Sequence, residues 1–159
     1  MDKIKRRDIL GALNRISFLE RADNLSKSYR NSFPEAMPCI DKKKVNEIIR
    51  KHGYAPGYTG GYFRLKDQIY ENVSFEVLFK LKYASVEIWW SVYEDGEYIY
   101  GNPWLGFKRD LLNDRTCIYS MPSFGSYEEL EEILIEMFNM YEELKSVLLD
   151  GRGIDIHEN

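Results

Sequence analysis

Few residues in this chain have the types needed for acid–base, nucleophilic or metal chemistry. There are two histidines, His52 and His157, and two cysteines, Cys39 and Cys117. Their spacing fits no zinc site, and neither an HExxH pair nor an EF-hand loop occurs, so no metal or other cofactor is expected. His52 falls at the end of an expected helix, where the dipole stabilises it without catalysis; His157 lies in the tail. Both cysteines read as free thiols. GYAPGYTGGY, residues 53–62, is rich in glycine but lacks the Lys-Ser/Thr pair and following helix of a phosphate loop. SFGS, residues 123–126, has no GxSxG elbow and reads as a turn ahead of a helix. Glu128, Glu129, Glu131 and Glu132 crowd the first turns of that helix, where dipole and solvent account for them. The expectation is a protein that is not an enzyme.

The elements that carry the remaining polar and aromatic residues are strands. In VSFEVLFKLKY, residues 73–83, apolar side chains occupy every second position, which predicts a strand with one buried face. VEIWWSVYEDGEYIYGNPW, residues 86–104, follows with the same period and a central Asp95-Gly96 turn of the type I′ kind. With a tight turn at Ala84-Ser85, Tyr83 faces Val86, Leu81 faces Ile88, Phe79 faces Trp90 and Val77 faces Val92. Lys82 then meets Glu87 on the other face. Across the second turn, Tyr93 pairs with Tyr98, Val92 with Ile99 and Ser91 with Tyr100. Trp90, Val92 and Ile99 point inward, whereas Trp89, Tyr93, Tyr98 and Tyr100 share the second face. Glu94, Asp95 and Glu97 form an acidic hairpin tip beside it. Exposed Tyr and Trp of this density mark interface anchors, and nearby acids steer basic partners. The alternatives are a helix from the N-terminal half covering that face, or a small enzyme or ligand binder with an aromatic pocket lined by Tyr58, Tyr62 and Tyr98.

Helices flank the strand block. Apolar spacing predicts one over 3–23, with Ile9, Leu13, Ile16 and Leu19 on one face, and a second over 41–52 capped by Asp41. Pro34 and Pro38 argue for a loop between them. Short strands are expected at 62–65 and 117–120. Ser126 and Glu129 form a capping-box pattern ahead of a long amphipathic run that ends at Gly151. The sum is an α+β fold. Four or five antiparallel strands carry two N-terminal helices and one long C-terminal helix, in a single domain over 1–151 with a frayed tail over 152–159.

Charge is uneven along the 159 residues. Residues 1–52 hold 13 Lys and Arg against 7 Asp and Glu, and residues 53–159 hold 9 against 19. The basic start invites nucleic acid, but the acids around the sheet aromatics repel phosphate and argue against it. No uninterrupted apolar segment suggests a leader or a membrane span, so the expected setting is the cytoplasm. An exposed edge strand leaves room for a homodimer.

The order of helix, EIWW, YIYGNPW and PSFGSYEELEEIL resembles the small bacterial immunity proteins of polymorphic and contact-dependent toxin systems. The resemblance covers mostly residues 60–150 and carries over no individual residue. It implies a stoichiometric inhibitor that binds one cognate, basic toxin domain.

Overall fold

The computed structural model describes residues 2–30 and 39–156, and within them the fold is α+β. Five strands form one antiparallel sheet in the order β1-β2-β3-β4-β5. They are β1 (Pro56–Thr59), β2 (Tyr62–Tyr70), β3 (Val73–Lys82), β4 (Ser85–Glu94) and β5 (Glu97–Pro103). Helices α1 (Arg6–Arg15), α2 (Phe18–Ser28) and α3 (Lys42–Lys51) precede the sheet, and α4 (Trp104–Leu112) and α5 (Tyr127–Asp150) follow it. Pro34, Pro38 and His157 lie outside the described residues.

The helix expected over 3–23 is two helices, because Ser17 adopts a left-handed φ of 58° and turns the chain between α1 and α2. Ile9, Leu13 and Ile16 still face the core. Asp41 caps α3 by accepting from the Lys43 N–H at 2.9 Å. Ser126 caps α5 by accepting from the Glu129 N–H at 3.1 Å, while the Glu129 carboxylate reaches back to the Gly125 N–H at 2.9 Å. The segment 117–120 forms no strand, and α4 stands where no helix was expected.

Three of the four hairpin turns hold two residues at positive φ. Gly60 and Gly61 join β1 to β2, Tyr83 and Ala84 join β3 to β4, and Asp95 and Gly96 join β4 to β5. The β3–β4 turn is one residue earlier than expected, so every pair slides by two. Leu81 faces Val86, Phe79 faces Ile88, Val77 faces Trp90 and Phe75 faces Val92, and Lys80, not Lys82, meets Glu87. A slide of two keeps each side chain on its expected face, since the strand period is two.

One core lies between the sheet and the helices. Phe63, Phe75, Phe79, Ile88 and Trp90 from the strands meet Leu13, Phe18, Phe107, Leu134 and Tyr141 from the helices. Phe18 packs edge-on against both Trp90 and Trp104, with ring centres 6.1 and 5.2 Å away. Residues 152–156, expected to fray, are anchored: Ile154 is buried and its N–H donates to the Leu149 carbonyl at 2.9 Å. Among the described residues no helix is long and apolar enough to cross a membrane.

Candidate functional site: the open face of the sheet

Because the helices gather on one side, the second face of the sheet remains open among the described residues. Alternation in β4 sends Trp90 into the core at 2% exposure and its neighbour Trp89 to the opposite, half-buried side. The registers then lay out this face in rows. Ile69, Ser74, Tyr93 and Tyr98 run across β2 to β5, and Arg64, Leu78, Trp89 and Pro103 form a parallel row. Glu76, Ser91 and Gly101 lie between them. Ile69 and Tyr98 are 69% and 57% exposed, so the first row is a wet apolar stripe.

Local packing fixes these aromatics. The Tyr93 and Tyr98 rings meet edge to face at 5.7 Å, and the Tyr98 hydroxyl donates to the Gly101 carbonyl at 3.0 Å. The Trp89 indole N–H donates to the Ser91 hydroxyl at 3.2 Å. Ser91 fits only because its partner is glycine: a Cβ on Gly101 would stand 2.3 Å from the Ser91 Oγ.

Charges on the face are mixed. Arg64 binds Asp67 at 2.7 Å and Glu76 at 3.4 Å, and Asp67 is the main reason its guanidinium is held still more firmly charged. Lys80 lies over the Tyr62 ring at 5.5 Å. Burial first, then Glu76 and Asp67, pushes the Tyr93 hydroxyl up from its usual range. Tyr93 is therefore a neutral donor toward any partner.

Of the seven residues expected to form this site, five are placed there or at its tip. Trp89, Tyr93 and Tyr98 share the face, and Asp95 and Glu97 are exposed at the hairpin end. Asp95 accepts from the Asn72 amide at 3.1 Å, and Glu97 is loosely paired with Lys3 at 3.9 Å.

Two expectations are corrected. Tyr100 is on the inner face, because a bulge sets Tyr93 opposite Tyr98 but Val92 opposite Tyr100, with Ile99 as the extra residue. There it is 7% exposed, and its hydroxyl donates to Asp110. Glu94 is no tip acid: its side chain is fully buried, where it accepts from the Ile4 N–H at 2.8 Å and binds Arg152.

The alternative cavity does not assemble, since Tyr58 and Tyr62 belong to β1 and β2 and Tyr98 to β5 at the far edge. The α5 acids are largely engaged inside the molecule. Glu131 binds Lys51 and His52, both at 2.9 Å, Glu132 accepts from Tyr29 at 2.6 Å, and Glu136 and Glu143 hold Arg21.

Sequence reasoning missed three polar residues and Ile69. Asp110 gathers Tyr100, Asn102, Arg6 and Arg115 around a 6%-exposed carboxylate. Lys145, buried on α5, donates to Gln68 and to the Tyr70 hydroxyl at 3.0 Å and pairs with Glu142 at 2.8 Å. That satisfies all three of its donors, so it stitches α5 to β2. A bulge between Leu65 and Gln68 turns Gln68 inward for this purpose and leaves Ile69 on the open face. The β2–β3 turn is Glu71-Asn72, with Glu71 at a φ of 57°, so no glycine or proline marks that the strand continues past residue 65. Among the described residues no group of three or more metal-ligand side chains is found. Comparison with family models, with curated proteins and with solved structures finds no match.

Proposed function

We propose that this protein is a non-enzymatic, protein-binding inhibitor of the immunity type, working in the cytoplasm, and that it seats its partner on the open sheet face. One observation carries the proposal. A sheet whose helices all serve a single core leaves its other face open among the described residues, and that face presents Ile69, Trp89, Tyr93 and Tyr98 on the strands. Such aromatics contribute contact area at little conformational cost, which is what an interface anchor needs. Fixed polar partners, Ser91 for Trp89 and Gly101 for Tyr98, hold two of them before any partner arrives. Asp95 and Glu97 at the rim favour a basic partner, though Arg64 and Lys80 make the face itself a mixed surface.

The test is capture of tagged protein from its native lysate beside a Trp89→Ala, Tyr98→Ala double variant. A protein that co-purifies at one-to-one stoichiometry, loses its activity in the complex and escapes the variant supports the proposal. A partner held equally by the variant contradicts the site, and a captured small molecule contradicts the inhibitor reading.

A further inference from the structure

A second surface lies on the helical side, away from the open face. A groove of about 560 Å³ runs between α1 and the C-terminal end of α5. Five basic side chains line it, Lys3, Lys5, Arg7, Arg15 and Arg152, against two acidic ones, Asp2 and Asp8. Arg152 is committed to Glu94, and Lys3 leans to Glu97. Arg7 and Arg15 are exposed and make no ion pair among the described residues. Among the described residues no carboxylate uses their charge, although Arg15 complements the C-terminal end of the α1 dipole.

Gly11 stands between them. Arg7, Gly11 and Arg15 are four residues apart, so they share one stripe of α1 that rises about 12 Å from end to end. A glycine inside a helix costs about 1 kcal/mol relative to alanine. A Cβ at Gly11 would meet nothing within 4 Å, so no packing among the described residues requires a glycine there. Bare backbone between two unpaired arginines is suited to close approach by something from outside. The wall opposite is apolar, built from Val147 and Leu148.

We infer that this groove binds an acidic, partly apolar peptide segment of a protein partner. Carboxylates about four residues apart in an extended segment span the distance from Arg7 to Arg15. The apolar residues between them lie over Gly11 and against Leu148. Nucleic acid fits less well: no aromatic side chain lines the groove for base stacking, and Asp2 and Asp8 stand among its cations. The inference is independent of the sheet-face proposal.

The experiment uses the full chain and a fluorescein-labelled synthetic peptide centred on Glu-Leu-Ala-Leu-Glu, read by anisotropy at low ionic strength. Oligothymidylate and a peptide with Lys in place of both Glu are run beside it. The acidic peptide is expected to bind, and the lysine peptide is not. Arg7→Ser with Arg15→Ser should weaken binding on the order of tenfold, as loss of two charge-assisted contacts requires. Gly11→Leu should weaken it as much while leaving the circular dichroism spectrum unchanged and the melting temperature no lower, since leucine favours the helix. Absence of binding, binding unchanged in both variants, or preference for oligothymidylate would overturn the inference.

Discussion

Arg152, two residues beyond the end of α5, forms an ion pair with Glu94 at the hairpin end of β4, where the carboxylate is fully buried. The Arg152 guanidinium also donates to the Asp2 carbonyl, and Glu94 accepts from the Ile4 N–H. One carboxylate and one guanidinium thus fasten both ends of the described chain to the sheet. Arg152→Met leaves the Glu94 charge buried without its counter-ion, and loss of about 3–5 kcal/mol of stability is expected. Urea unfolding measures it. A loss below about 1 kcal/mol would show that the termini are held by packing alone.

The second prediction concerns pH. Burial disfavours the Asp110 charge, but the Tyr100 hydroxyl, Arg115 and Arg6 together outweigh it and hold this carboxyl below its usual range. A depressed carboxylate stabilises the fold above its unfolded value of 3.8, and that stabilisation is lost as pH falls through the lower folded value. Its partner behaves in the opposite sense. Burial and then Asp110 push the Tyr100 hydroxyl from 10.0 up to about 12, so its contribution is complete below pH 10 and is lost as pH rises toward 12. Asp110→Asn should lower the urea midpoint at neutral pH and flatten the acid limb of a stability–pH curve. An acid limb unchanged in that variant would remove Asp110 from the account.

The third prediction tests the close approach of β4 and β5. Gly101→Ala places a Cβ 2.3 Å from the Ser91 Oγ and 2.8 Å from the Trp90 carbonyl, so strand or side chain must shift. A cost of about 1–3 kcal/mol is expected, with a change in tryptophan fluorescence as Trp89 loses its seat. Adding Ser91→Gly should restore part of the stability. An alanine variant as stable as the parent would mean that the two strands are not held this tightly.

How far the sequence revealed this molecule follows the limits of periodicity. Alternation alone placed Trp89, Tyr93 and Tyr98 on one face and Trp90 on the other, and a register error of two residues left that assignment intact. Tyr100 escaped because a bulge adds one residue and reverses parity, and no residue type in YIYG announces it. Glu94 is different: it continues the inward series of Trp90 and Val92, so its direction was legible. Its charge argued for solvent instead, since the counter-ion that permits burial lies 58 residues away in a stretch expected to fray. In α4, Gly106 interrupts a short apolar run and masks the helix. The structure supplies the reason for that glycine, because a Cβ there would stand 2.1 Å from the Asn102 Oδ1.

The central claim is that the bare face of the sheet receives the partner. Amide hydrogen exchange of the captured one-to-one complex against the free protein tests it most directly. The account predicts added protection along β3, β4 and β5 around Ser74, Tyr93 and Tyr98, with α3 unchanged. Protection confined to the helices, with those strands exchanging as in the free protein, would contradict it.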